Sequence, residues 1–292
     1  MRLARFDTDR LGILVDDGSG LVDLTDRLDL RTDDPLIEYL ERDASAEEYR
    51  DAEPDVTLDS VRLESPVRRP GKVVAAPANY ERHVQEAIDD ADFDIDDWFT
   101  IEDYGSFLKA PSSIVGPADT VVLPFTDRRV DHEIELAFLM GTDTKDASLQ
   151  EAWDSIFGYT VLLDITVRGE QDRSSRKSYD TFTVVGPWVV TADAVEDPQS
   201  LPLELRVNGE LRQQSNTADM IYTCGKFAQY ASIGTTLETG DLLTTGTPEG
   251  VGSITDGDVI DAEIGGIGSM RVPVETEERS FEDVRIEQGR RE

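Results

Sequence analysis

Four groups of residues have the types and spacing that could carry chemistry. The first is Val130-Asp131-His132-Glu133-Ile134-Glu135-Leu136. On a strand, alternate side chains share a face, so Asp131, Glu133 and Glu135 point one way and Ile134, Leu136 and Phe138 the other. Carboxylates two residues apart repel each other, and partial burial makes that costly unless a cation sits between them. Oxygen ligands suit hard ions such as Mg²⁺ or Mn²⁺ better than Zn²⁺. A solvated acidic strand face explains the same spacing, and the spacing alone favours that simpler explanation.

The second group closes an apolar run, Leu162-Leu163-Asp164-Ile165-Thr166-Val167-Arg168. A lone buried Asp needs a partner. Either Arg168 supplies it, or Asp164 is a third metal carboxylate and Arg168, with Gln171, clamps a substrate carboxylate. The third group, Asn79 to Glu86, places His83 and Glu86 three apart on one helix face. A carboxylate beside an imidazole orients it and raises its basicity, as a general base requires, although surface His–Glu pairs are common. The fourth joins Lys177-Ser178-Tyr179-Asp180-Thr181-Phe182 with Thr244-Thr245-Gly246-Thr247-Pro248-Glu249-Gly250, a loop with one cation and a turn whose amides could hold an anion.

The elements that must position these groups are mostly strands. Strand patterns cover Arg10–Val15, Gly20–Leu24, 73–76, 121–123, 130–140, 159–164, 242–244, 259–264 and 269–274. Asn208-Gly209 centres a hairpin over 203–213. Helical patterns cover 35–50, 80–89, 147–157 and 220–232. Many strands with few helices indicate a β-dominated α+β sandwich or roll. The Pro/Gly/Arg-rich stretch 66–71 suggests a small N-terminal α+β domain over 1–66, a main domain over 67–275 and a charged tail over 276–292. Residues 87–103 carry eight acidic side chains and no basic one, interleaved with Phe93, Ile95, Trp98 and Phe99. They read as a solvated loop or as a lid whose aromatics cover a site.

Composition excludes several classes. Of 292 residues, 62 are acidic and 28 basic, giving a net charge of -34, so nucleic acid and anionic membrane surfaces are poor partners. One Cys, Cys224, and two His rule out disulfide frameworks and Cys- or His-rich metal cages. No apolar run reaches membrane-spanning length and no signal core opens the chain, which together suggest a cytoplasmic protein. Only five of the basic residues are Lys. An acid-rich, Lys-poor surface suits a salt-filled, halophilic cytoplasm, where screening removes self-repulsion. Melting temperature and activity are therefore expected to rise with KCl into the molar range. Full stability in dilute buffer would contradict this.

Read in order, the motifs resemble the fumarylacetoacetate hydrolase family. They are Lys72-Val73-Val74, Asn79-Tyr80-x-x-His83, Phe107-Leu108-Lys109-x-Pro111-Ser112-Ser113, Glu133-x-Glu135-Leu136 and Gly158-Tyr159-Thr160-Val161-x-x-Asp164-x-x-x-Arg168. Lys177-Ser178-x-Asp180-Thr181-Phe182, Gly186-Pro187-Trp188, Asn208 to Gln213 and Thr245-Gly246-Thr247-Pro248-x-Gly250 complete the series. The series runs from Lys72 to Val274 and outweighs the simpler explanations of the acidic and histidine groups.

The resemblance implies a mixed β-sandwich roll, usually homodimeric. It implies a divalent metal, generally Mg²⁺ with Mn²⁺ or Ca²⁺ as substitutes, held by Glu133, Glu135 and Asp164. His83 with Glu86 would activate water and Lys177 would stabilise enolate charge. Tyr80, Arg168, Gln171 and Thr247 would hold a small 2-oxo acid. The expected reaction is hydrolysis of a carbon–carbon bond in a β-diketo acid, with the departing fragment an enolate on the metal. Relatives on this scaffold also decarboxylate, isomerise, tautomerise or dehydrate 2-oxo acids. A non-catalytic cation-binding protein is the remote alternative. Pro77 and Ala110 depart from the family pattern, where Gly and a second Pro are common, and the 87–103 insertion is longer than in many members.

Overall fold

The computed structural model describes residues 1–89 and 101–284. Phe93, Ile95, Trp98 and Phe99 of the acidic insertion, and the end of the tail, lie outside the described residues. Within them the chain is a β-dominated α+β fold. An eleven-stranded mixed sheet runs, edge to edge, from Val56–Thr57 through Gly20–Asp23, Arg10–Leu14 and Arg2–Phe6 to Thr183–Thr191. It continues through Ile156–Asp164, Ile134–Met140, Leu242–Thr244 and Val73–Ala75 to Phe107–Lys109, with Ile114–Val115 beside Thr183–Thr191. A five-stranded sheet packs against it, in the order Glu210–Asn216, Pro202–Val207, Val259–Ile264, Gly268–Thr276, Val121–Leu123. A small third sheet joins Thr166–Val167, Val130–His132 and Gly252–Ser253.

The central strands are apolar on both faces because both faces are covered. Leu136, Phe138, Val161 and Leu163 meet Leu203, Leu205, Ile260 and Val272 of the second sheet. Ala137, Leu139, Leu162 and Val185 point the other way and pack with Leu3, Leu11, Ile13 and the helix residues Leu36 and Tyr39. Residues near the N-terminus therefore extend the sheet that carries the chemistry and cover one of its faces.

Several helices are shorter than their periodicity predicts. The 35–50 stretch is a helix only over Pro35–Glu41, followed by a single 3-10 turn at Glu47–Tyr49. Asp43, at φ 47°, breaks it in the left-handed region. The 147–157 pattern yields Leu149–Asp154, opened by a Ser148–Glu151 capping box. Ile156 beyond it already pairs with Met140. The 220–232 pattern yields Cys224–Ala231, capped by Thr223. The 130–140 strand divides at Glu133, where the chain passes from the small sheet into the large one. The Asn208-Gly209 hairpin forms, both residues at positive φ as a tight turn requires.

Candidate active site

Strand register dictates where the carboxylates meet. Glu135 lies opposite Leu162, and the Asp164 N–H donates to the Glu133 carbonyl. Counting by twos from the buried pair Leu139 and Leu162, one face of these neighbouring strands turns from apolar to acidic at Glu135 and Asp164. Oxygens of Glu133, Glu135 and Asp164 lie within 4.8 Å of one another, all buried. Thr244 and Lys109 lie on the same face, from the next strands along the sheet.

Three buried carboxylates are tolerable only with compensating charge. The Lys177 ammonium donates to Glu133 Oε2 at 2.7 Å, Asp164 Oδ2 at 2.6 Å and Thr166 Oγ1 at 2.7 Å. Lys109, 1% exposed, donates to Asp164 and to the Lys177 and Phe182 carbonyls. Burial pulls its pKa down against the raising effect of Asp164. Arg168 does not pair with Asp164. Its Nε donates to Asp131 at 2.6 Å and its Nη2 to Glu133 at 2.9 Å, so Asp131 and Arg168 together fix Glu133. Burial alone would raise the Glu133 carboxyl, but Lys177 and Arg168 overcome it and hold it well below the usual range.

Glu135 is the contrasting member. Its hydrogen bonds, from Thr244 Oγ1 and from the Gly246 N–H at 2.9 Å, both fall on Oε2. Burial, reinforced by the charges of Asp164 and Glu133, pushes its carboxyl up to about 8. A carboxylate that resists ionisation in an all-oxygen cluster is relieved by a cation, so the donor set fits a hard divalent ion. This predicts a pH dependence for the metal-free protein. The unfolded side chain ionises near 4.5 and the folded one near 8, so between these values the unfolded state holds fewer protons. Glu135 therefore makes stability fall as pH rises through that window. Melting curves of wild type and Glu135→Gln in chelator should diverge, with wild type losing more on the alkaline side. Parallel curves would contradict the assignment.

The imidazole–carboxylate pair stands beside this cluster, close enough that His83 is among the groups that lower the Glu133 carboxyl. His83 Nδ1 lies 3.2 Å from Glu86 Oε2, both on the helix Glu81–Asp89. The Gly250 N–H donates to both Glu86 oxygens, at 3.0 and 3.2 Å. Gly250 has φ 90°, and a Cβ there would collide with the Arg212 carbonyl, so only glycine can present that amide. One turn, 244–250, thus holds Glu135 at its start and Glu86 at its end.

Gln213 anchors that turn. Fully buried, it donates to Thr247 Oγ1 at 2.8 Å and to the Pro248 carbonyl at 2.9 Å, and accepts from the Ile134 N–H at 3.1 Å. The Thr247 hydroxyl in turn donates to the Ile134 carbonyl at 2.8 Å. Tyr80 is 1% exposed, inside the main core, with its hydroxyl unpartnered among the described residues. Gln171 is exposed on the rim of a cavity of about 780 Å³. Of the residues expected to hold substrate, the structure thus leaves Gln171 open, bonds Arg168 and Thr247 to the site's own groups and buries Tyr80. The sequence reading gave no role to Lys109, Asp131 or Gln213. The available signal was the scarcity of lysine, since Lys109 and Lys177 are two of only five. At Ala110 the departure from proline has a visible use: its N–H donates to Ser178 Oγ at 2.9 Å and ties the two lysine-bearing loops together.

The chain has relatives with this architecture. The model of the fumarylacetoacetate (FAA) hydrolase C-terminal region matches residues 72–275. A maleylpyruvate hydrolase of Aquipseudomonas alcaligenes is 41% identical over 289 residues, 94% of this chain and 99% of the relative. The crystal structure of a maleylpyruvate hydrolase from Sphingobium sp. SYK-6, in complex with manganese(II) and pyruvate, superposes with a TM-score of 0.82. It is 38% identical and covers 94% of this chain and 99% of its own. An oxaloacetate tautomerase of Xenopus laevis is 32% identical over 297 residues, 94% of this chain and 90% of the relative. Together with the ordered motifs and the shared fold, these matches show that the chain belongs to the fumarylacetoacetate hydrolase family.

Proposed function

We propose that this protein is a divalent-metal-dependent hydrolase that cleaves a carbon–carbon bond in a 2,4-dioxo acid of the acylpyruvate type. The observation that carries the reading is the buried Glu133–Glu135–Asp164 cluster beside the His83–Glu86 pair. Relatives named maleylpyruvate hydrolase, matching over nearly the whole chain, support the same substrate class.

Glu133, Glu135 and Asp164 would hold the ion, Mg²⁺ or Mn²⁺. When bound, it supplies Lewis acidity and neutralises the charge that develops as the bond breaks. His83 takes the proton of the attacking water, and Glu86 stabilises the imidazolium that results. With Nδ1 on Glu86, Nε2 is the nitrogen for that transfer. Lys177 places a fixed positive charge where the departing carbanion accumulates electron density. Arg168 and Asp131 hold Glu133 in place, and Gln171 meets the substrate at the rim. Residues 1–66 act as an accessory unit on the 67–275 catalytic unit.

The second reading is tautomerisation of a 2-oxo acid, favoured by the Xenopus relative. That reaction needs no water activated by His83. A product assay with Mg²⁺ or Mn²⁺ across acylpyruvates, fumarylacetoacetate and oxaloacetate separates the two. The hydrolase reading expects pyruvate and a free acid from an acylpyruvate. Enol–keto exchange of oxaloacetate without any hydrolysis would replace it.

A further inference from the structure

His132 is a buried titratable group that the mechanism does not use. It is fully buried in the short strand Val130–His132, immediately before Glu133. Alternation turns its ring away from Asp131, and Nδ1 meets Gln213 Oε1 at 3.1 Å.

The partners of Gln213 fix which imidazole nitrogen carries the proton. The Ile134 N–H can only donate, and it bonds one end of the Gln213 amide at 3.1 Å, so that end is the oxygen. The Pro248 carbonyl can only accept, and it bonds the other end at 2.9 Å, so that end is the nitrogen. The oxygen that accepts from Ile134 is also the atom facing His132, so Nδ1 donates. Nε2 is buried near Gly252, where a Cβ would lie 3.5 Å from it, and has no hydrogen-bond partner among the described residues. A second proton there would make a buried cation with no acceptor for its N–H. The ring is therefore neutral, with its proton on Nδ1.

The same direction runs on through the next two bonds. Gln213 donates to Thr247 Oγ1 at 2.8 Å, and the Thr247 hydroxyl gives its own proton to the Ile134 carbonyl at 2.8 Å. His132, Gln213 and Thr247, each 2% exposed or less, form one directed chain. It closes on Ile134, the residue between Glu133 and Glu135, and it grips the 244–250 turn at Thr247 and Pro248. Gly246 and Gly250, whose N–H groups hold Glu135 and Glu86, stand on either side of the gripped residues.

We propose that His132 is a positioning residue, whose Nδ1–H braces the Gln213 amide against the 244–250 turn and so sets Glu135 and Glu86 together. The ring acts as a hydrogen-bond donor, neither a metal ligand nor a proton carrier. This rests on the reading of Glu135 as a metal ligand.

The test compares His132→Leu, which keeps apolar volume and loses the donor, with His132→Asn, which keeps an N–H close to the Nδ1 position. In metal-free protein, ¹H–¹⁵N spectra of His132→Leu should show the Gly246 and Gly250 amide resonances displaced together. Calorimetric titration should show Mn²⁺ bound at least about ten-fold more weakly. His132→Asn should recover all but about three-fold of that affinity and return both amides toward their wild-type positions. A packing role gives the opposite order, with leucine closer to wild type than asparagine, and that order overturns the proposal. So do unmoved Gly246 and Gly250 amides in His132→Leu. The only other histidine is His83, so the imidazole ¹⁵N signals that persist in His83→Ala belong to His132. A proton found on Nε2 of that ring also overturns the proposal, and this measurement stands whether or not His132→Leu folds. A wild type that binds no Mn²⁺ contradicts the ligand reading instead, and the amide displacements and the proton position then decide the role of His132.

Discussion

Glu135→Gln is expected to weaken divalent-metal binding by more than about 100-fold, and turnover at ordinary metal concentrations should disappear with it. Among the three carboxylates this one reads most cleanly. Its hydrogen bonds come from a threonine hydroxyl and a backbone amide, groups that a neutral amide oxygen can also satisfy. Glu133→Ala leaves Arg168 and Lys177 short of a buried partner, and Asp164→Ala does the same to Lys109 and Lys177. Stranding a buried charge costs about 3–5 kcal/mol, so those variants mix lost stability with lost ligation. Activity in Glu135→Gln should return in part at high metal, because two carboxylates remain. Rates that follow metal concentration as in wild type would remove Glu135 from the ligand set.

His83→Ala is expected to do the reverse, keeping metal affinity near wild type while the hydrolytic rate falls by about 10² to 10⁴. His83 bonds Glu86 and supplies no oxygen to the cluster, so ligation should survive its loss. Under the tautomerase reading the loss is milder, since no water need be deprotonated. Glu86→Gln should fall between wild type and His83→Ala, because the imidazole remains while its orienting charge is gone. A His83→Ala protein with full hydrolytic rate would remove the imidazole from the mechanism.

Much of this geometry is legible in the sequence because strands and helices have fixed periods. Alternation places Glu133 with Glu135, and an i, i+3 spacing places His83 with Glu86. What alternation does not give is the register between strands, and register is what brings Asp164 opposite Glu133. The ordered motifs of the family resemblance supplied that link. Long-range partners were less legible. Sequence proximity suggests Arg168 for Asp164, four residues away, yet the pairing of Thr166–Val167 with Val130–His132 brings the guanidinium to Asp131 and Glu133. Gln213 lies some eighty residues from Ile134 and joins it only because the hairpin around Asn208-Gly209 folds under the 244–250 turn. Helix ends were over-extended where apolar spacing ran on past a capping or strand-forming residue, as at Ile156.

The most direct test of the metal centre is a calorimetric titration of Mn²⁺ into metal-free wild type, Glu135→Gln and His83→Ala under identical conditions. The account predicts one tight ion per chain in wild type, the same stoichiometry with near-equal affinity in His83→Ala, and at least about 100-fold weaker binding in Glu135→Gln. Equal binding by Glu135→Gln and wild type, or loss of the ion in His83→Ala, would contradict it.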